Sequence, residues 1–223
     1  VKDGLVPSPE RGPLLDELQR KGHWMPWSEV REWCGSEASD DSWSSWCCSD
    51  GYRLTGCARK LTDDRLQSVA LANQGLHYKE IDFSQNDLTA SGAHAILEHC
   101  RRCERLHVLK LYKNQIDDGA IGDLVSMLHW CKRLQELHLS HNKLTTNGIR
   151  ALVQGAEEAR KDATATLWIR VESNCVADEP ALAAELMQRH SVCPRFAGCT
   201  ANTCVRNCIL HIAFLDKSAG SYA

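Results

Sequence analysis

The sequence has no apolar run approaching the ~18 residues that a membrane-spanning helix requires. It has no excess of one charge. Twenty-six Lys+Arg stand against 29 Asp+Glu, a formal net charge of -3 over 223 residues. That balance excludes a protein held to nucleic acid by bulk attraction alone. No basic-then-apolar N-terminal segment reads as a signal peptide, and no Asn-x-Ser/Thr glycosylation site occurs. No phosphate-cradling loop, nucleophile elbow or carboxylate pair is found, so a non-enzymatic protein is expected. The first residue is Val1 rather than Met, which fits a processed chain or a piece of a longer one.

Cysteine is what the chain has in abundance, with 12 residues. The apolar fraction of 43% and the seven Trp suit a folded protein with a real core. The cysteines fall in three groups: Cys34, Cys47, Cys48 and Cys57; Cys100, Cys103, Cys131 and Cys175; Cys193, Cys199, Cys204 and Cys208. A disulfide-linked secreted protein and a reduced metal-binding one both allow such a count. Cys103 and Cys131 each lie three residues before a leucine, Leu106 and Leu134. That shared position fits buried free thiols. A reducing compartment is therefore expected: cytoplasm, nucleus, or an organelle after loss of a transit peptide.

Internal repetition is the strongest signal. Four segments align on asparagines 28, 28 and 32 residues apart: Asn86, Asn114, Asn142 and Asn174. The positions eight, five and three residues before each Asn, and two after it, are aliphatic or nearly so. They read Tyr78, Ile81, Phe83 and Leu88; Leu106, Leu109, Leu111 and Ile116; Leu134, Leu137, Leu139 and Leu144; Thr166, Ile169, Val171 and Val176. The alternating part predicts a short strand with one buried face. The Asn amide can satisfy backbone groups in the following turn and join adjacent turns. Helices are expected between the strands, at 92–100, 121–130, 149–159 and 181–190, capped by Ser91, Asp118, Thr146 and Asp178. Ile121, Leu124, Val125 and Leu128 form one apolar face. Pro180 suits a first helical turn. The extra residues of the fourth unit fall near 157–165.

These motifs match L-x-x-L-x-L-x-x-N-x-L and resemble the leucine-rich repeat, with a period similar to the ribonuclease-inhibitor-like class. The resemblance covers about residues 62–190. It implies an α/β solenoid with short parallel strands on a concave face and helices on the convex face, because strands stack ~4.8 Å apart and helices ~8–10 Å. The expected organisation is a Trp/Cys-rich N-terminal segment or cap at 1–60, a solenoid of about four units at 61–190, and a Cys-rich C-terminal segment at 191–223. The fourth helix would lid the stack.

Residues between the buried strand positions face the concavity. One row reads Glu80, Val108, Glu136, Trp168; the next Asp82, Lys110, His138, Arg170; the third Ser84, Tyr112, Ser140, Glu172. Aromatic and Arg residues on a rigid sheet are typical interface anchors. The resemblance implies protein binding on this face. Lys110, Tyr112, Glu136, His138, Trp168 and Arg170 are the candidate partner-binding residues, with no catalytic set. The expected role is a protein-interaction module or scaffold subunit of a larger assembly. The competing expectation is a face that is only solvated, or one covered by the chain's own N-terminal segment.

That segment holds five of the seven Trp, short helices over 13–21 and 29–33, an acidic Ser-rich loop over 35–50, and a candidate disulfide from Cys34 to Cys47 or Cys48. A further helix is expected over 62–72. At the other end, Cys193-x5-Cys199-x4-Cys204-x3-Cys208-x2-His211 is loosely similar to a CCCH-type zinc finger, with Cys208 where that family has His. Zinc on some four of these five residues, two disulfides, or buried thiols all remain open. The resemblance makes an RNA-associated zinc protein the alternative reading. Arg189, Arg195, Arg206 and Lys217 against Asp216 favour it, but Phe196 is the one aromatic inside the finger. The apolar run 209–215 is expected to dock on the solenoid's C-terminal edge.

Overall fold

The computed structural model describes residues 48–49, 52–67, 77–163, 165–200 and 203–213. All of them belong to one compact unit, residues 41–223. The expectations for the short N-terminal helices, for the acidic loop up to residue 47 and for the Cys34 pairing lie outside the described residues; residues 48–49, expected in that loop, form a short strand.

Eight strands form one sheet among the described residues: β1 (Cys48–Ser49), β2 (Arg53–Thr55), β3 (Glu80–Asp82), β4 (Val108–Lys110), β5 (Glu136–His138), β6 (Leu167–Arg170), β7 (Val192–Cys193) and β8 (Leu210–Ala213). Their order is β1-β2-β3-β4-β5-β6-β8-β7. Every neighbouring pair is parallel except β1 with β2. Parallel neighbours need a crossover. Helices supply it from β2 to β7: α1 (Asp63–Gln67), α2 (Ala90–Cys100), α3 (Ile121–Trp130, entered through a 3₁₀ turn at Asp118–Ala120), α4 (Thr146–Ala159) and α5 (Glu179–Arg189). The four asparagine-marked segments thus lie side by side, in the register read from the sequence.

The core sits between strands and helices. Ile81, Phe83, Leu88, Leu106, Leu109, Leu111, Ile116, Leu134, Leu137, Leu139 and Leu144 are wholly buried. From α3, Met127 goes in rather than Val125, which is only partly buried. The longer fourth unit is absorbed by α4, which has 14 residues against 11 in α2. Its C-cap is Arg160, wholly buried, whose guanidinium donates to the carbonyls of Cys131, Lys132 and Ala165. Burial lowers its pKa to about 10. That arginine ties the α3–β5 turn to the α4–β6 turn.

Each asparagine bridges two repeats. Asn142 Nδ2 donates to Leu111 O of the previous repeat and Leu139 O of its own, and its Oδ1 accepts from the Ile116 N–H. Asn86, Asn114 and Asn174 repeat this pattern. The residue before each one, Gln85, Lys113, His141 and Ser173, is left-handed, with φ between 54 and 58°. This turn aims the amide back under the sheet.

Three of the four expected caps move. Thr89, Asp117 and Thr145 cap the N-termini, while Asp178 holds its expected place. Asp118 is used differently. Its carboxylate receives the Thr145 N–H at 2.8 Å and hydroxyl at 2.5 Å, as Asp63 receives those of Thr89. These brackets connect successive helix starts, a between-repeat role that a single helix pattern does not announce.

Two strands lie outside the asparagine register. β2 carries Leu54 at the buried position, but Gly56 and Arg59 stand where the template has Leu and Asn. Phe83 explains the glycine: a Cβ at Gly56 would lie 2.8 Å from its ring. At the other end α5 does not close the stack. The sheet continues through β8, which pairs with β6 along four residues, so the described part of the apolar run, up to Ala213, docks on the C-terminal edge, and residues 214–215 lie outside the described residues.

Candidate functional site

The strand register assembles the concave-side rows. Arg53, Glu80, Val108, Glu136, Trp168, His211 and Cys193 are successive partners across the sheet. Thr55, Asp82, Lys110, His138, Arg170 and Ala213 form the next row. The alternation of side chains along each strand puts both rows on the face away from the core.

Most charges on this face are paired within it. Glu80 accepts from Arg53 at 2.8 Å and Lys110 at 2.6 Å. His138 lies 2.9 Å from Glu136, and this hydrogen bond holds the Glu136 carboxyl below its usual range. Arg170 Nε donates to Glu172 at 3.0 Å. Asp82 is buried; burial raises its pKa, while Ser84 donates both its N–H and its hydroxyl to Oδ1. Asp82 Oδ2 has no hydrogen-bond partner among the described residues. Tyr112 is half-buried, with its hydroxyl 3.3 Å from Gln85 Nε2.

Trp168 is the centre of an aromatic-cationic group. His138 meets it edge-on at 5.9 Å, Arg170 lies 5.6 Å from its centroid, and Arg195 4.0 Å. The structure thus brings Glu136, His138, Trp168 and Arg170 into one cluster. Lys110 stands one strand away, bound to Glu80, and Tyr112 lies beyond the end of β4. Nothing in the repeat pattern pointed to Arg195, which arrives from the C-terminal loop.

That loop also gathers Cys193, Cys199, Cys204 and His211. Their ligand atoms all lie within 4.8 Å of one another, and the Cys193 and Cys199 sulfurs are 4.0 Å apart. Cys193 and His211 are brought together by the β7–β8 register. Cys208 is not one of the four mutually close donors; its thiol is directed at the Arg206 carbonyl and also interacts with Cys204. All four loop cysteines are free thiols. Burial pushes Cys193 up to about 11. At Cys204 burial is outweighed by backbone N–H groups of Cys208 and Arg206 and by the Cys193 and Cys199 thiols, so its pKa falls below the ordinary value. Burial, with the Arg195 charge, lowers His211 and favours neutral imidazole, the ligating form.

Cys103 and Cys131 are buried free thiols as expected, and Cys100 is buried as well. Burial raises Cys103 to about 11 and Cys131 to about 12. A second group with ligand spacing, His94, Glu98 and Asp123, lies on the helix side between α2 and α3. Its i, i+4 spacing was a visible signal, but the Asp123 contact, 2.8 Å from His94, depends on the packing of the two helices.

Parallel strands, crossover helices and a shared asparagine ladder define a leucine-rich-repeat solenoid. The family model described as Leucine Rich repeat matches residues 131–153. The curated proteins similar to this chain include human NACHT, LRR and PYD domains-containing protein 12, 30% identical over 128 residues. That alignment covers 56% of this chain and 12% of the human protein. Both likenesses agree with the repeat architecture of the strands and helices, and the chain spans about an eighth of the length of that relative. No helix among the described residues is long and apolar enough to cross a membrane.

Proposed function

We propose that this chain is a non-catalytic protein-recognition module, a scaffold or subunit of a larger assembly, that binds its partner on the concave face. The carrying observation is the cross-strand register, which sets Glu136, His138, Trp168 and Arg170 side by side with Lys110 and Tyr112 adjoining. The paired charges hold these side chains in place before a partner arrives, so binding orders less. The solenoid's small concave area makes the flanking segments part of the interface.

The test is affinity capture from the native source, identification of what is retained, and titration of the purified partner. Trp168→Ala with Tyr112→Ala should reduce partner affinity at least ~10-fold while the far-UV spectrum is kept. Unchanged affinity in the double variant removes the concave face as the binding site.

The alternative, an RNA-associated zinc protein, draws support from one pair. Phe196 is 45% exposed, with the Arg206 guanidinium 5.3 Å from its ring. Such a pair can stack on an unpaired base. Nuclease-sensitive RNA copurifying with wild type but not with Phe196→Ala would favour this reading.

A further inference from the structure

We propose that Cys193, Cys199, Cys204 and His211 form a closed tetrahedral zinc site that pins the C-terminal edge of the solenoid and seats Arg195 on Trp168. This site stands on its own geometry and does not depend on the concave-face reading.

The donor set comes first. Three thiols and one imidazole suit zinc, whose structural sites take four such ligands and leave no open position. Zinc with sulfur at ~2.3 Å and nitrogen at ~2.0 Å places the sulfurs about 3.8 Å from one another. The Cys193–Cys199 separation of 4.0 Å is already close to that, and all four donors fall inside 4.8 Å. A disulfide would require sulfurs at ~2.05 Å.

His211 is the second, independent observation. Its side chain is wholly buried, and neither ring nitrogen makes a hydrogen bond of normal geometry among the described residues, although the Thr200 backbone acts on the ring. A buried imidazole so poorly satisfied is costly. Coordination would engage one nitrogen, leaving the other to the Thr200 backbone, which already favours the protonated ring. Disulfide formation among the neighbouring thiols would leave the imidazole as it is.

Backbone groups are arranged for thiolates. The Arg195 and Phe196 N–H groups act on Cys193, and those of Arg206 and Cys208 on Cys204. The turns that aim them contain left-handed residues, Arg195 at φ 66° and Asn207 at φ 54°. Binding Zn²⁺ to three thiols and neutral imidazole releases three protons and leaves the site at a charge of -1. Arg195, close enough to act on His211, partly offsets that charge.

The site also answers a structural need. The described residues that follow β7, 194–200 and 203–208, form no helix or strand, and their larger apolar side chains, Phe196 and Val205, are exposed. This loop has little core of its own, and a metal centre substitutes for one. β7 has only two residues and forms the sheet's last edge. Zinc would cross-link that edge to β8 through Cys193 and His211, and the same loop carries Arg195 to 4.0 Å above Trp168.

The test uses the full chain, reduced and supplied with Zn²⁺. Expected results are one tightly held zinc per chain by elemental analysis and native mass spectrometry, and a tetrahedral visible spectrum after Co²⁺ replacement. Zinc should protect Cys199 and Cys204 from alkylation. Cys199→Ser, Cys204→Ser and His211→Gln should each weaken zinc binding at least 100-fold, whereas Cys208→Ser should keep it. The wild-type stoichiometry and the Cys208→Ser result remain decisive even if His211→Gln misfolds. Substoichiometric zinc with all thiols reduced, disulfide-linked peptides between these cysteines in the native protein, or loss of zinc in Cys208→Ser would overturn the assignment.

Discussion

The guanidinium of Arg195 lies 4.0 Å from the centre of the Trp168 ring, so the C-terminal loop covers part of the concave-face aromatic. A cation over an indole face is worth ~0.5–1 kcal/mol at an exposed site and more when desolvated. The contact links the loop that carries the cysteine cluster to the strand at the centre of the proposed binding face.

Removing that contact should uncover the indole. Arg195→Ala is expected to raise the fraction of tryptophan fluorescence accessible to a neutral quencher. The same substitution in a Trp168→Phe background should change nothing, which separates Trp168 from the other six tryptophans. An equal rise in both backgrounds would show that the effect comes from elsewhere.

The asparagine ladder should be more stabilising than any surface ion pair. Asn142→Ala strands the Ile116 N–H, an unsatisfied group costing ~1–3 kcal/mol, and takes one of two amide donors from each of Leu111 O and Leu139 O, which keep those of Asn114 and Asn174. A loss of about 2 kcal/mol in urea unfolding is expected. Asn142→Asp should be no better, because a carboxylate cannot donate to Leu111 O and Leu139 O. Retention of full stability by either variant would contradict the ladder's role.

Gly148 makes room for the Asp118–Thr145 bracket. A Cβ there would sit 1.9 Å from Asp118 Oδ1. Gly148→Ala should therefore destabilise by about 1–3 kcal/mol despite alanine's better helix propensity. In an Asp118→Ala background the clash is gone, and the same change should stabilise by up to ~1 kcal/mol. Equal effects in both backgrounds, measured as a double-mutant cycle, would rule out the clash.

Asp82 sets a pH dependence. Its folded pKa is raised by burial, with Ser84 and Lys110 working to lower it and Glu80 to raise it. An acid whose folded pKa exceeds its unfolded value binds more protons when folded. Its contribution therefore falls as pH rises from the unfolded pKa through the folded one, and stays low above that. Asp82→Asn should gain on wild type at neutral pH, and the gain should shrink as pH is lowered through the raised pKa. A difference that grows on acidification would mean that Asp82 is instead held as a stabilised carboxylate.

The repeat was legible because its contacts recur at constant register. Leu109 and Leu137 occupy equivalent sites in adjacent strands, so one template found both. The helix caps were less legible: Ser91, Asp118 and Thr146 were reasonable polar residues near helix starts, but Thr89, Asp117 and Thr145 have the extended backbone that capping needs. Strand β2 escaped notice because Gly56 and Arg59 break the template, for the sake of the neighbouring Phe83 ring.

By itself the sequence determined the solenoid: its period, its strand faces, its asparagine ladder and the rows exposed on the concave side. These follow from local periodicity, since each repeat meets its neighbour in the same way. Only the tertiary structure decided which donors converge at the C-terminal edge and what lies over Trp168. Among five candidate ligands at near-regular spacing, strand pairing places His211 opposite Cys193, and the turn after Cys204 leaves Cys208 beside Cys204 but outside the mutually close four. Those outcomes depend on the path of one irregular loop, and no repeating pattern encodes such a path.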